Sequence, residues 1–183
     1  MRAWTIAFAI VALAGCSKQP EPVENSPAAE AAGLRKGVDR SHKGEALPAV
    51  TLRNDKDEDQ TLDEFREGGP VLVNLWATWC APCVKELPTL DELSRSFQAT
   101  PVIALSQDTA PRTSVNAFAK RLGITALPIW HDPKMSFSGA AKAEVLPTTI
   151  LYDKNGRELW RYVGDLDWSS EEAAKLLAES YDR

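Results

Sequence analysis

The chain has 183 residues, of which 44% are hydrophobic, and a formal net charge of −5. This length allows one medium-sized domain with extensions, and about 140 residues folding together would bury roughly two thirds of their unfolded surface. The acidic balance, without any block of lysine or arginine, argues against nucleic acid and against an electrostatic lipid-binding surface. Other proteins are the expected partners.

Residues 1–15 are typical of a signal peptide. Arg2 precedes an apolar run at residues 4–13, and small residues follow. The run is shorter than the ~20 apolar residues that a membrane-spanning helix needs. The Leu-Ala-Gly-Cys sequence that ends at Cys16 resembles the bacterial lipoprotein cleavage box, whose cysteine is acylated and becomes the mature N-terminus. We therefore expect lipidation of Cys16, the alternatives being an ordinary signal peptide cleaved nearby or an uncleaved anchor.

Residues 16–43 are predicted to consist of the lipidated cysteine followed by a disordered tether. The stretch after Cys16 contains three prolines, many Ala and Glu residues and no aromatic residue, so it offers too little apolar surface for a core. Ser17, rather than Asp, after the cysteine resembles the pattern that permits sorting to the outer membrane. The folded domain is then expected to cover residues 44–183.

Within that domain, hydrophobic patterning and turn residues predict the elements in chain order. Strands are expected at residues 46–52, 71–76, 101–106, 124–130, 146–153 and 158–163. Helices are expected around residues 61–65, from residue 81 onward, at 114–122 and after Ser169 or Ser170, with a short helix between residues 131 and 139. Thr61 and Glu64 have the spacing of a capping box, and Asn155-Gly156 predicts a two-residue hairpin turn. This order matches an α/β sheet with a parallel half and an antiparallel hairpin edge.

Two cysteines follow the most apolar of these strands with two residues between them. Residues 84, 87, 90 and 93 are apolar at helical spacing, so Cys80 should lie at or just before a helix N-terminus and Cys83 in its first turn. Unpaired N–H groups and the helix dipole stabilise negative charge there. We therefore expect an exposed Cys80 able to form a thiolate at near-neutral pH, with Cys83 packed beneath it.

The sequence around these cysteines resembles the TlpA-like (redoxin) branch of the thioredoxin superfamily, which comprises extracytoplasmic thiol-disulfide proteins. The resemblance covers roughly residues 44–183. It rests on Trp79-Cys80-Ala81-Pro82-Cys83, on the following Glu86 and Pro88, and on the distal Leu146-Pro147-Thr148-Thr149. It implies a thioredoxin-like fold, with a mixed central sheet flanked by helices and an N-terminal strand extension.

The resemblance also implies roles for these residues. Cys80 is expected to be the nucleophile and Cys83 the resolving thiol, with no cofactor beyond their redox-active disulfide. Pro147 resembles the family's cis-proline, which leaves the backbone of Leu146 free to pair with an extended substrate. Trp79, Ala81 and Pro82 are expected to shape the docking surface, whereas Trp76, Trp130, Trp160 and Trp168 are expected to be structural.

Glu86 is expected to act on the cysteines. It lies one helical turn beyond Cys83, so its charge opposes thiolate formation, which in this family accompanies reducing character. Thioredoxins have a buried aspartate where this chain has Asn74, which makes Glu86 the expected proton carrier for leaving-group thiolates. A solvated acid on the helix surface is the alternative reading of Glu86.

The resemblance further implies a periplasmic, lipid-anchored reductant. Its expected substrates are cysteine-containing periplasmic proteins, in the maturation of cytochrome c or of the copper site of cytochrome oxidase. A membrane thiol electron donor of the DsbD/CcdA kind would recharge it, because a reductant in an oxidising compartment must be re-reduced from outside.

Three other readings of the cysteine pair are weaker. A zinc site lacks ligands, since His42 and His131 are the only histidines. A Cu(I) chaperone would use both sulfurs, yet the chain has no Met-rich stretch and no clear third ligand. A peroxiredoxin has Pro and Thr where this chain has Val73 and Ala77 before the first cysteine.

Overall fold

The computed structural model describes residues 35–97 and 99–180. The helices are α1 (Leu62–Arg66), α2 (Ala81–Ser96), α3 (Arg112–Arg121), α4 (Ser136–Ala140) and α5 (Glu171–Ala178). The strands are β1 (Gly37–Asp39), β2 (Leu52–Arg53), β3 (Asp59–Gln60), β4 (Val71–Trp76), β5 (Val102–Ser106), β6 (Ile129–His131), β7 (Thr148–Tyr152) and β8 (Glu158–Val163). The predicted signal peptide, Cys16 and Ser17 lie outside the described residues.

The described strands form one mixed sheet in the order β1-β8-β7-β4-β5-β6-β2-β3. β4, β5 and β6 are parallel neighbours, whereas β7 pairs antiparallel with β4 and β8. The predicted α/β architecture, with a parallel half and an antiparallel hairpin, is confirmed.

β4 lies in the middle of the sheet, and all six of its residues are buried. Because side chains alternate along a strand, Leu72 and Trp76 pack with the cluster that contains α2, α3 and α5 residues. Val73 and Leu75 pack on the other face, with residues from α1 and α4. The same alternation places Asn74 on the α2 face, where it reaches the active-site helix.

The N-terminal boundary of the domain differs from the prediction. Residues 37–39, assigned to the tether, form β1, which pairs antiparallel with β8 at the edge of the sheet. A three-residue edge strand is held by backbone hydrogen bonds and needs no apolar periodicity, so composition did not reveal it. Arg40 adds a two-bond ion pair to Glu179, at 2.9 and 2.6 Å. The domain therefore begins before residue 44.

Two predicted strands are shorter than expected. In place of a strand at residues 46–52, there is an isolated bridge between Ala46 and Arg157, and β2 begins only at Leu52. The segment predicted at 124–130 becomes strand only at Ile129. Three backbone N–H groups of its first half bind a side-chain carboxylate instead of a neighbouring strand.

The β7–β8 turn is longer than the two residues predicted. Asp153 N–H donates to Arg157 O at 2.8 Å, and Gly156 N–H donates to Asp153 O at 2.9 Å. Gly156 adopts the left-handed conformation with φ of 67°, whereas Asn155 does not. The turn residues were therefore located correctly, but only the glycine takes the conformation that a tight two-residue turn requires of both.

Within the described residues, no helix has the length and apolar character needed to cross a bilayer.

Candidate active site

The two cysteines lie at the amino end of α2 and form a disulfide. Cys80 is the N-cap residue with extended backbone, and Cys83 lies in the first turn. The N–H of Cys83 donates to Cys80 Sγ at 3.3 Å. This N–H is one of the donors that a helix start leaves unpaired, so the same contact would stabilise a thiolate on Cys80 after reduction. The predicted positions of both cysteines on the helix are confirmed, and their roles stay predictions.

Cys80 is less accessible than expected. Its exposed fraction is 6%, and that of Cys83 is 0%. Both side chains belong to the apolar cluster between the sheet and α2, because the disulfide holds the Cys80 sulfur against the helix start. An incoming thiolate can therefore reach only the sulfur of Cys80.

An exposed surface surrounds this sulfur. Trp79 is 71% exposed, and Ala81 and Pro82 are exposed at the helix start. Leu146 is half-buried and packs against the cluster that contains both cysteines. The Leu146–Pro147 peptide bond is cis, as the resemblance predicted.

The backbone of Leu146 is open to a partner. The carbonyl of Val145 accepts the Thr148 hydroxyl at 2.7 Å, and the carbonyl of Pro147 accepts Gly164 N–H at 2.9 Å. Leu146 itself makes no backbone hydrogen bond to any residue that the structure describes. An extended chain passing Cys80 could pair with it, as strand-addition ligands do.

Glu86 is buried beside the cysteines, with an exposed fraction of 3%. Its Oε1 accepts a hydrogen bond from Asn74 Nδ2 at 2.7 Å. Its Oε2 accepts from Leu166 N–H at 3.1 Å and from Trp168 Nε1 at 3.3 Å. Asn74 Nδ2 also donates to Thr149 Oγ1 at 2.9 Å, which joins the carboxylate to the strand that follows Pro147. The reading of Glu86 as a solvated surface acid is wrong.

Burial raises the pKa of Glu86 from 4.5 to about 7. The hydrogen bonds from Leu166, Asn74 and Trp168 act in the opposite direction, and the nearby charge of Asp165 raises the pKa further. Near neutral pH, this carboxyl group is therefore present in both protonation states. That is the property a proton carrier needs.

A cleft of about 500 Å³ brings solvent to Glu86 from the side of the last loop. Lys85, Thr89 and Asp165 lie among its walls, and Asp165 forms an ion pair with Lys36 at 2.8 Å. A proton on Glu86 can exchange with water through this cleft.

Trp168 belongs to the site, although only a structural role was predicted for it from the sequence. Its Nε1 donates to Glu86, and its backbone N–H donates to Thr89 Oγ1 at 3.2 Å. The ring is 3% exposed. Spacing could not place Trp168 beside a carboxylate 82 residues earlier.

Residues 35–97 and 99–180 contain no group of three His, Cys, Asp or Glu side chains arranged to hold a metal ion. His131, one of the two histidines considered as ligands, points Nε2 at the carbonyl of Asp108, 2.9 Å away.

Comparison with known proteins places the chain in a family. The profile of the AhpC/TSA family matches residues 43–157. The chain belongs to this family. Together with relatives named as ResA and DsbE thiol-disulfide proteins, this match confirms the resemblance to the TlpA-like (redoxin) branch of the thioredoxin superfamily.

Two relatives of the chain are named as thiol-disulfide proteins. Thiol-disulfide oxidoreductase ResA of Geobacillus kaustophilus is 37% identical over 114 residues, which are 62% of this chain and 64% of the relative. Thiol:disulfide interchange protein DsbE of Haemophilus influenzae is 30% identical over 134 residues, 72% of each chain. The chain thus matches slightly less than two thirds of the length of that ResA. Among solved structures, StoA from Bacillus subtilis superposes with a TM-score of 0.60 at 22% identity, covering 75% of this chain and all of StoA, which supports the fold.

Proposed function

We propose that this protein is a thiol-disulfide oxidoreductase that acts mainly as a reductant of protein disulfides. The observation that carries the proposal is the Cys80–Cys83 disulfide at the amino end of α2, beside an exposed Trp79 and the open backbone of Leu146. The names of the ResA and DsbE relatives support it.

The reaction begins with the reduced pair. The Cys80 thiolate attacks one sulfur of a substrate disulfide, so that a Cys80–substrate bond forms and the substrate S–S bond breaks. The other substrate sulfur leaves as a thiolate and takes a proton. The Cys83 thiolate then attacks Cys80, which releases the second substrate thiol and leaves the Cys80–Cys83 disulfide. Two electrons pass to the substrate, and each of its sulfurs gains one proton.

Glu86 serves the proton transfers in this reaction. It lies one helical turn beyond Cys83 and is buried, so it can take the Cys83 proton as the thiolate forms and return a proton to a leaving sulfur. A pKa of about 7 makes both directions accessible near neutral pH. The cleft at Lys85 and Asp165 connects this proton to solvent.

We also propose that this reaction takes place at a periplasmic membrane surface. Lipid on Cys16 would anchor the chain, in the inner or the outer membrane, and a thiol electron donor of the DsbD/CcdA kind would return the pair to the dithiol. The proposed substrates are apocytochrome c haem-attachment cysteines or the copper-site cysteines of cytochrome oxidase. The support is the family resemblance together with the lipoprotein-like sequence that ends at Cys16.

Trapping of mixed disulfides tests the assignment of the two cysteines. A chain produced from residue 16 onward with Cys16→Ser keeps Cys80 and Cys83 as its only cysteines. In that background, Cys83→Ser should accumulate a mixed disulfide with a peptide disulfide substrate, because nothing resolves it. Cys80→Ser should form none. Trapping by Cys80→Ser instead would reverse the two roles.

The reduction potential of the same Cys16→Ser chain tests the direction of the reaction. It is measured by equilibrating the pair in a glutathione or dithiothreitol buffer. A value near or below about −270 mV, that of thioredoxin, would support a reductant. A value near about −120 mV, that of a strong disulfide donor, would contradict it. Tight Cu(I) binding by the reduced chain without disulfide exchange would favour the chaperone alternative.

A further inference from the structure

A second buried carboxylate lies at the active-site edge of the sheet and takes no part in the steps above. Asp108 follows β5 by two residues and is 2% exposed. Its Oδ2 accepts from Thr78 N–H at 2.9 Å and from Ser106 Oγ at 2.8 Å. Its Oδ1 accepts from the Thr78 hydroxyl at 2.6 Å. Two of these three hydrogen bonds therefore come from the same residue, Thr78.

That residue lies in the turn that leads into α2. Cys80 N–H donates to Ala77 O at 3.1 Å, so residues 77–80 form one tight turn with Thr78 and Trp79 at its centre. Trp79 is 71% exposed, and Cys80 is the N-cap of the helix. Asp108 thus anchors the inner side of the turn whose outer side faces a substrate.

The anchor is itself held by the neighbouring strand. His131 Nε2 lies 2.9 Å from Asp108 O, and Asp132 N–H donates to Ser106 O at 2.8 Å. The ends of β4, β5 and β6 are therefore joined through one set of hydrogen bonds, which leaves Asp108 little freedom to move.

The carboxylate of Asp108 accepts its three hydrogen bonds from uncharged groups of Thr78 and Ser106. No Lys or Arg in the described part of the chain forms an ion pair with it. This negative charge has no cation paired with it and is hydrogen-bonded to Thr78, two residues before the N-cap Cys80, so it acts against a second negative charge on Cys80.

We propose that Asp108 is a positioning residue of the redox site, which fixes the turn at residues 77–80 through Thr78 and disfavours the Cys80 thiolate by its charge. It opposes the helix N-terminus, which favours the thiolate, and so shifts the pair towards the disulfide. A dithiol that is easier to oxidise is a better reductant. The inference rests on the proposed function and adds a residue that sets its direction.

The substitution Asp108→Asn, in the chain that starts at residue 16 with Cys16→Ser, tests this role. The amide removes the charge and one acceptor with almost no change in volume. At a fixed glutathione ratio, the ratio of disulfide to dithiol protein should fall about threefold to tenfold, the range expected for losing a unit charge near the sulfur. The Cys80 thiol, followed by the ultraviolet absorbance of its thiolate, should ionise at lower pH than in the parent chain.

Asp132→Asn is the matched control. Asp132 is 3% exposed at the same edge of the sheet, and its carboxylate caps α4 through the N–H groups of Ser136 and Phe137. Its substitution should lower stability and leave the glutathione equilibrium unchanged. Equal shifts in both variants, or an unchanged equilibrium and thiolate titration in Asp108→Asn, would show that Asp108 only stabilises the fold.

Thr78 provides a second pair of variants in case Asp108→Asn does not fold. Thr78→Val removes the hydroxyl that donates to Asp108 and leaves its negative charge less compensated, so the ratio of disulfide to dithiol should rise about twofold. Thr78→Ser keeps that hydroxyl and should behave as the parent chain. Equal behaviour of the two variants would contradict the proposal. A parent chain that does not exchange disulfides with glutathione at all would defeat the proposed function instead, and this result is separate from any effect of Asp108.

Discussion

α2 carries two buried carboxylates, at its second turn and near its middle, that behave in opposite ways. Glu86 is 3% exposed and Asp91 is 5% exposed. Burial raises the pKa of Glu86 to about 7. Burial also acts to raise the pKa of Asp91, yet hydrogen bonds from Leu127, Ala126 and Thr125 and the charge of Arg95 outweigh it, so this pKa is lowered.

The difference lies in the partners of each carboxylate. Oδ1 of Asp91 accepts three successive backbone N–H groups, from residues 125, 126 and 127, at 2.9, 2.7 and 2.8 Å. Its Oδ2 pairs with the guanidinium of Arg95. Glu86 accepts its three hydrogen bonds from uncharged groups, and the charge that acts on its pKa is the negative charge of Asp165. The same helix therefore holds one carboxylate that is fixed as an anion and one carboxyl group that titrates near neutral pH.

Among the predicted changes, removing the carboxylate of Asp91 should have the largest effect on the free energy of unfolding. Asp91→Ala leaves three backbone donors without their acceptor and an arginine without its partner, so the free energy of unfolding should fall by about 3 kcal/mol or more at pH 7. Urea denaturation measures the loss. Arg95→Ala is the control: Arg95 is 49% exposed and its loss should cost less than about 1 kcal/mol. Equal small losses in both variants would mean that Asp91 is not the anchor of this loop.

The titrating acid should make stability depend on pH. The folded-state pKa of Glu86, about 7, lies above its ordinary value of 4.5, so the folded state holds the proton more tightly. Its stabilising contribution is complete below about pH 4.5 and is lost as pH rises through 7, a decline of about 3 kcal/mol. Glu86→Gln should abolish that decline in urea denaturation curves recorded across this range. Glu92→Gln, an exposed position on the same helix, should keep it. Parallel profiles for Glu86→Gln and the parent chain would contradict the assignment.

The same substitution should change the redox equilibrium. Above pH 7 Glu86 is mainly an anion one helical turn from Cys83, so Glu86→Gln should lower the apparent thiol pKa and raise the reduction potential. The disulfide-to-dithiol ratio in a glutathione buffer should fall about threefold to tenfold. Below about pH 5, where Glu86 is protonated, the variant and the parent chain should converge. A difference that persists unchanged at low pH would point to packing rather than charge.

The sequence located the parts of this site that are local in the chain. Strand β4, the N-cap position of Cys80 and the capping box of Thr61 and Glu64 follow from spacing alone, because each depends on residues within one turn. The cis bond before Pro147 required the family resemblance, since nothing in an isolated Leu-Pro pair specifies it.

The environment of Glu86 could not be predicted in the same way. Its donors Leu166 and Trp168 follow it by 80 and 82 residues, and only the folded sheet brings them to α2. For the same reason the burial that sets its pKa was missed, and a solvated position remained an open reading. The contact of Asp108 with Thr78 is equally non-local, because the two residues are 30 positions apart in the chain.

Substitution of Trp168 should produce the smallest of these changes, a slight shift in the pKa of Glu86. Trp168→Phe keeps most of the buried ring but removes the Nε1 donor, one of three that stabilise the Glu86 anion. The Glu86 carboxyl should then bind its proton about twofold more tightly, because a single hydrogen bond of 3.3 Å contributes little. The pH midpoint of the Glu86 carboxyl carbon resonance measures this change. Trp160→Phe is the matched control, since its buried Nε1 donates to Leu176 O and not to Glu86. A midpoint that moves upward in Trp168→Phe alone would show that the last loop tunes the proton carrier. If the pH midpoint of Glu86 does not change in Trp168→Phe, Trp168 contributes to this site only by packing.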